Sequence, residues 1–340
     1  MSRRIEVYAG TAGHSAWFSE DRGETWLHPN SHSGMYLEAR VWTFSSHPAR
    51  PGVLHAGTDM GIHRWDESTT RWTPVPSPLA DVWALAQSPV DPDVLYAGGR
   101  PAAVYCSEDG GASWRPFDLP GAAAFSPINQ GPTRVTQILV DPVDPDVLWA
   151  TIEIGGIYRS GDRGRTWEPR NEGLVSLDVH GIAVLRKPGG VRTILATTNR
   201  GLHRSDDDGG HWTFQQLDSP WQYTRAVVPR ADTDRIVFLT NGNGPPGSDA
   251  RLLRSTDHGD TWQPVPLPGR LNSTLWCIAT HPSDPMLLFA CTNLGQLFRS
   301  VDGGDQWERL PHEFGEVRAL HWRMADIPPG RPPHSITVRN

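Results

Sequence analysis

The chain has 340 residues, 37% hydrophobic and 20% charged, and 31 Lys and Arg against 38 Asp and Glu leave a net charge of −7. That mild acidity speaks against a nucleic-acid or anionic-membrane surface, each of which needs clustered cations. Fifteen Trp exclude a disordered chain despite 34 Gly and 31 Pro, and no apolar run reaches the ~18 residues that would span a bilayer.

The first residues, Met1-Ser2-Arg3-Arg4-Ile5-Glu6-Val7-Tyr8, enter a strand pattern with no apolar leader, so a cytoplasmic protein is expected. Three short strands follow at Ile5 to Ala9, Ser15 to Phe18 and Trp26 to His28. The next segment supplies four, at Val41 to Phe44 (A), Val53 to Ala56 (B), Ile62 to Trp65 (C) and Trp72 to Val75 (D). All are rich in β-branched and aromatic residues and are bounded by Gly, Pro, Asp or Ser. Near-identical A-to-B turns then appear at Ser88-Pro89-Val90-Asp91-Pro92-Asp93, Asp141-Pro142-Val143-Asp144-Pro145-Asp146 and His281-Pro282-Ser283-Asp284-Pro285.

An octet marks the period. Ser19-Glu20-Asp21-Arg22-Gly23-Glu24-Thr25-Trp26 has counterparts ending at Trp114, Trp167, Trp212, Trp262 and Trp307, with their acids at Asp109, Asp162, Asp207, Asp257 and Asp302. A degenerate copy runs from Trp65 to Trp72, and successive copies are 42 to 53 residues apart. Four strands every ~45 residues is the period of a propeller blade. The first repeat lacks strand A, and the missing strand lies at the far end of the chain, Val317 to Trp322. The sequence therefore predicts an all-β, seven-bladed β-propeller over residues 1–324 with four-stranded antiparallel blades. Its first blade is built from residues 5–29 plus 317–322, and a Pro-rich extension occupies residues 325–340.

Within the octet, the Asp side chain is expected to accept backbone N–H groups of the C-to-D turn, Gly to supply a positive φ, and Trp to pack between sheets. These acids are read as structural, and Asp162→Ala is expected to cost on the order of 1–3 kcal/mol. Asp206-Asp207-Asp208-Gly209 lacks the terminal Glu of a calcium loop and sits in register as one of the octets. The three cysteines, Cys106, Cys277 and Cys291, have no metal-ligand spacing, so no metal and no cofactor are expected. Cys277 and Cys291 are equidistant from Asp284 and so face each other across that turn, read as buried thiols.

The octets and the A-to-B turns share one face of a propeller, leaving the irregular D-to-A and B-to-C loops on the other, where recognition is expected. Aligning the A strands on their turns gives a ring of Arg40, Asp81, Arg134, Asp178, Gln222, Thr274 and Glu316 at the central mouth. Two residues further on stand Trp42, Trp83, Thr136, His180, Thr224, Trp276 and Arg318, with Tyr223 just before Thr224. Glu38, Glu153, Asp59 and Tyr36 approach from loops. Mixed charge converging on a mouth predicts a small polar ligand there.

The octet resembles the Asp-box, or BNR repeat, of sialidases and their propeller relatives, over essentially the whole chain. The resemblance implies a glycosyl hydrolase-like site for a carbohydrate or carboxylate. By that resemblance Arg40, Arg134 and Arg318 form a carboxylate clamp and Tyr36 or Tyr223 is the nucleophile. Glu153 or Glu316 is then its base and Asp81 or Asp178 the acid, with His180 among the binding residues. The chain departs from sialidases in lacking a Phe/Tyr-Arg-Ile/Leu-Pro motif and in having seven blades rather than six. It is similar in blade number to Asp-box xyloglucanases, which set two propellers around a cleft. It also resembles the Asp-box assembly factors of photosynthetic membranes. That similarity implies the alternative of a non-catalytic scaffold docking a protein through Phe125, Trp221, Leu271 or Phe314.

Overall fold

The structure, a computed structural model, describes residues 3–29, 32–66, 69, 71–121 and 131–326. Its strands form seven antiparallel sheets. In blade 2 the order is A (Val41–Ser46), B (Val53–Thr58), C (Gly61–Asp66) and D (Arg71–Val75). Blades 3 to 7 repeat that order from A strands at Val82–Gln87, Val135–Val140, Val179–Arg186, Tyr223–Arg230 and Leu275–Ala279. Each A strand touches the A strands of both neighbouring blades, so the seven line a closed ring. No helix among the described residues is long and apolar enough to cross a membrane.

Blade 1 joins the two ends of the chain. Its A strand, Val317–Asp326, pairs antiparallel with Arg3–Thr11, placing Trp322 opposite Val7 and Leu320 opposite Ala9. Arg3–Thr11 pairs in turn with Ala16–Ser19, and the D position is a single bridge between Phe18 and Leu27. The closing strand continues to Asp326, past the Trp322 boundary expected from the sequence. The rest of the Pro-rich extension and Phe125 lie outside the described residues.

That continuation carries a buried clasp. Arg323 donates from Nε and Nη2 to Glu6 Oε2 at 3.1 and 2.8 Å. Tyr8 O–H donates to the same oxygen at 2.7 Å, while Arg4 Nη2 reaches Glu6 Oε1 at 2.7 Å. Arg323 Nη1 also donates to the Pro51 carbonyl of blade 2. Glu6, Tyr8 and Arg323 are all buried. Burial alone would raise the Glu6 carboxyl, but Arg323, Tyr8 and Arg4 together hold it below its usual range. First strand, last strand and the adjoining blade are thus tied by one charged network.

The described apolar core divides into seven clusters, each lying between two neighbouring sheets. The octet Trp residues supply large pieces of it. Trp167 of blade 4 meets Phe117 of blade 3 at 6.2 Å, and Trp307 of blade 7 meets Phe238 of blade 6 edge-on at 6.3 Å. Strand-C arginines bridge the same seams from outside. Arg204, Arg254 and Arg299 pair with Asp260, Asp305 and Glu24 in the octets of the following blades.

Inside each octet the Asp accepts the expected backbone bond; Thr166 N–H reaches Asp162 Oδ1 at 2.8 Å. The serine carries a second role. Ser160 Oγ accepts Gly164 N–H at 2.8 Å and donates to Asp162 Oδ1 at 2.8 Å, and the other five octets repeat both bonds. Gly164 is required twice over, since its φ is +82° and a Cβ there would lie 2.3 Å from Phe117. Ser160 is buried whereas Asp162 is partly open to water. Ser160→Ala therefore strands a buried N–H and is expected to cost about 1–3 kcal/mol, more than Asp162→Ala, in denaturant titrations of the two variants.

Candidate functional site

The A strands share an irregularity that builds the site. Beside the first paired residue, a β-bulge interrupts each ladder, between Val41 and Thr43, Val82 and Ala84, Val135 and Gln137, Val179 and Gly181, and Leu275 and Cys277. Blade 1 skips Arg318 in the same way, and blade 6 skips Arg225 and Ala226. A bulged residue leaves the ladder and its side chain is re-aimed. Seven of these residues, Trp42, Trp83, Thr136, His180, Arg225, Trp276 and Arg318, line one central cavity of about 150 Å³. Gln137, Gly181, Ala226, Val227 and Cys277 complete its wall.

One assignment from the sequence is corrected here. Thr224 was expected in this ring, but it stays in the ladder opposite Asn241, fully buried, and Arg225 takes the cavity position. Blade 6 has no Asp-Pro turn to anchor its alignment, and its bulge begins one residue later than in the other blades.

Aromatic rings and guanidinium groups stack in and beside the wall. Trp42 and Trp83 stack at 3.8 Å with 12° between their planes. The Arg134 guanidinium lies 3.9 Å over Trp83, and those of Arg225 and Arg318 lie 3.9 and 4.7 Å over Trp276. Burial pulls Arg134 down to about 10 and also lowers Arg318.

The expected carboxylates are held mostly in ion pairs beside this cavity. Asp81 accepts Trp42 Nε1–H at 2.7 Å and pairs with Arg100 at 2.9 Å. Glu153 pairs with Arg134 at 2.7 Å, and Glu316 pairs with Arg318. Asp178 Oδ1 lies 3.5 Å from His180 Nε2, whose Nδ1 contacts the Thr224 carbonyl at 2.7 Å. Glu153 and Asp178 move in opposite directions. Burial raises Glu153, with Asp178 adding to it against the pull of Arg134. Burial would raise Asp178 too, but His180, Arg225 and Arg134 outweigh it and leave that carboxyl low. Burial and Arg225 keep His180 below the usual histidine range.

Other expected site residues fall outside the cavity wall. Tyr36 is 57% exposed and donates to Glu38 at 3.1 Å. Arg40 is exposed, its backbone N–H bound to Asp59. Tyr223 is buried behind His180, ring to ring at 5.0 Å, and burial raises its hydroxyl. Leu271 and Phe314, expected on an apolar docking patch, are buried in the core. The exposed apolar residues of this face are instead Tyr36, Leu37, Met60, Ile154, Val175 and Leu177, together with Leu294.

Arg225, Gln137 and Cys277 were not singled out as site residues from the sequence. Arg225 pairs with no carboxylate among the described residues, in contrast to Arg134 and Arg318. Several polar atoms near the mouth are buried without a hydrogen-bond partner, among them Trp83 Nε1, Arg134 Nε, Glu153 Oε2 and Arg318 Nε. No cluster of three or more His, Cys, Asp or Glu suited to a metal occurs among the described residues.

No family model matches the chain. A xyloglucanase from Paenibacillus sp is 27% identical over 310 residues, covering 76% of this chain and 30% of that protein. The chain thus spans about a third of the length of such curated relatives. Among solved structures, the GH74 enzyme of Niastella koreensis superposes with a TM-score of 0.64 at 21% identity, over 79% of this chain and 45% of that one. YCF48 bound to a D1 peptide gives 0.55 at 15% identity, over 87% of this chain and all of that one. The chain is therefore a seven-bladed β-propeller, similar in sequence to part of a propeller glycosyl hydrolase and in fold to both groups.

Proposed function

We propose that the protein is a binding propeller whose central cavity takes a small carboxylate-bearing ligand, gripped by Arg225 and Arg318. The observation that carries this reading is Arg225, a guanidinium lining the cavity with no carboxylate partner among the described residues. Stacked over Trp276 and hydrogen-bonded to the Tyr223 hydroxyl, it still carries N–H donors with no carboxylate partner, the kind of group that binds a carboxylate bidentately. The cavity, at about 150 Å³, suits one ring or chain end rather than an oligosaccharide. Guanidinium groups also cover Trp83 and Trp276, whose rings would otherwise offer a sugar a stacking platform.

A second reading, glycoside hydrolysis, is favoured by the opposed shifts of Glu153 and Asp178 and by the likeness to xyloglucanases. In it Glu153, whose carboxyl is held up, serves as the acid and Asp178, whose carboxyl is held low, as its partner, the reverse of the roles the sialidase resemblance implies. Benzoate and its neutral analogue benzamide separate the two. Benzoate is expected to raise the melting temperature and benzamide to leave it unchanged. Arg225→Gln is expected to weaken benzoate binding about ten- to a hundredfold, the effect of losing a charge-assisted contact. Equal stabilisation by benzamide, or full binding by Arg225→Gln, would overturn the proposal. Release of reducing ends from xyloglucan oligosaccharides, lost in Glu153→Gln, would establish the second reading instead.

A further inference from the structure

The cavity wall contains a sulfur, and directly across the sheet from it lies another. Cys277, on strand A of blade 7, is the register partner of Cys291 on strand B, Leu288–Thr292. Opposite residues in an antiparallel pair have Cα atoms about 4.5–5.5 Å apart, inside the span a disulfide accepts. The bulge at Trp276 ends at Cys277, so ladder pairing resumes there and fixes the two side chains on one side of the sheet. Cys277 faces the cavity with Arg225 and Arg318, while Cys291 is fully buried behind it. Cys277 Sγ also contacts the Arg318 carbonyl at 3.3 Å.

We propose that Cys277 and Cys291 are a modification site, a dithiol in the cavity wall that a hydroperoxide oxidises to an intrachain disulfide. Cys277 is the attacking sulfur because it faces the cavity and two guanidinium groups, the setting that favours a thiolate. The hydrogen bond from Cys291, with Arg225 and Arg318, holds Cys277 below its usual range against burial, whereas burial pushes Cys291 well up. In the first step the Cys277 thiolate takes one peroxide oxygen as the O–O bond breaks. A sulfenic acid forms, and the other oxygen leaves as water or alcohol with the proton the thiol gave up. In the second, Cys291 sulfur attacks Cys277 sulfur. The S–S bond forms, the S–O bond breaks, and hydroxide departs with the Cys291 proton as water. Two thiols lose two electrons and one peroxide is reduced. Cys106 provides an internal control, being buried in blade 3 with its thiol raised to about 11.

The test is stoichiometric hydrogen peroxide on the folded full-length protein, followed by intact mass and peptide mapping. The expected result is loss of two hydrogens with Cys277 and Cys291 in one cross-linked peptide pair and Cys106 unmodified. In Cys291→Ser, dimedone is expected to trap sulfenic acid at Cys277 on the order of tenfold more than at Cys106. Wild-type mapping carries the test even if that variant folds poorly. A folded protein that keeps all three thiols, or one in which Cys106 reacts as readily as Cys277, would overturn the proposal.

Discussion

Arg323→Met is expected to destabilise the propeller by about 3 kcal/mol, the low end of the cost of breaking a buried ion pair, because Arg4 and the Tyr8 hydroxyl still hold Glu6. Arg323 supplies two of the bonds that hold Glu6 and the bond that reaches Pro51. Because the clasp spans the first and last strands, its loss bears on ring closure rather than on one blade. Replacing both partners, as Glu6→Leu with Arg323→Met, is expected to be milder than the sum of the single changes, since both buried charges are then gone and Arg4 keeps its pair with Glu20. Denaturant titration of the three variants measures this. A single variant that melts like the wild type would show that backbone pairing alone seals the ring.

The second large effect is acid sensitivity above the carboxylate range. His55 and His203 are buried, and burial holds each down to about 4, with Arg64 and Arg50 adding to the effect at His55. An unfolded histidine titrates near 6.5, so below that pH the unfolded chain binds protons that these folded side chains refuse. Their contribution is complete above about 6.5 and is lost as pH falls toward about 4, on the order of 3 kcal/mol for each group. The octet carboxylates act in a lower window. Hydrogen bonds from Ser113 and Ser107 hold Asp109 at about 2, and Asp162 and Asp257 are also lowered, so their contribution is lost only below the ordinary carboxylate range. Unfolding free energies at pH 7, 5 and 4 should therefore fall well before the carboxylates titrate, and His55→Phe should flatten that fall. Stability that is level from pH 7 to 4 would contradict the burial argument.

The ring itself was legible because it is written in repeats. Each octet needs Asp and Gly for its turn and Trp for its seam, and the lone A strand at Val317 to Trp322 had no other place to pair. The ion pairs at the mouth were not legible, since which carboxylate meets which arginine depends on loops such as Glu153 and Arg100 folding back onto strand starts. Arg225 was not legible because of the bulge in its strand. A bulge uncouples sequence spacing from side-chain direction, so Thr224 seemed to occupy a position that the extra unpaired residues of blade 6 give to its neighbour. Arg323 lies one residue past Trp322, where the repeat pattern already completes the blade, so nothing in the repeat points to it. The role of the octet serines is legible in the sequence as a hydroxyl two residues before the Asp in all six octets, in a turn that also has a glycine N–H to satisfy.

A structure determined with benzoate bound tests the central claim most directly. The carboxylate is expected within hydrogen-bonding distance of Arg225 and Arg318, with the ring inside the central cavity. Benzoate lodged on the octet face, or lying in the cavity with its carboxylate turned away from Arg225, would contradict it.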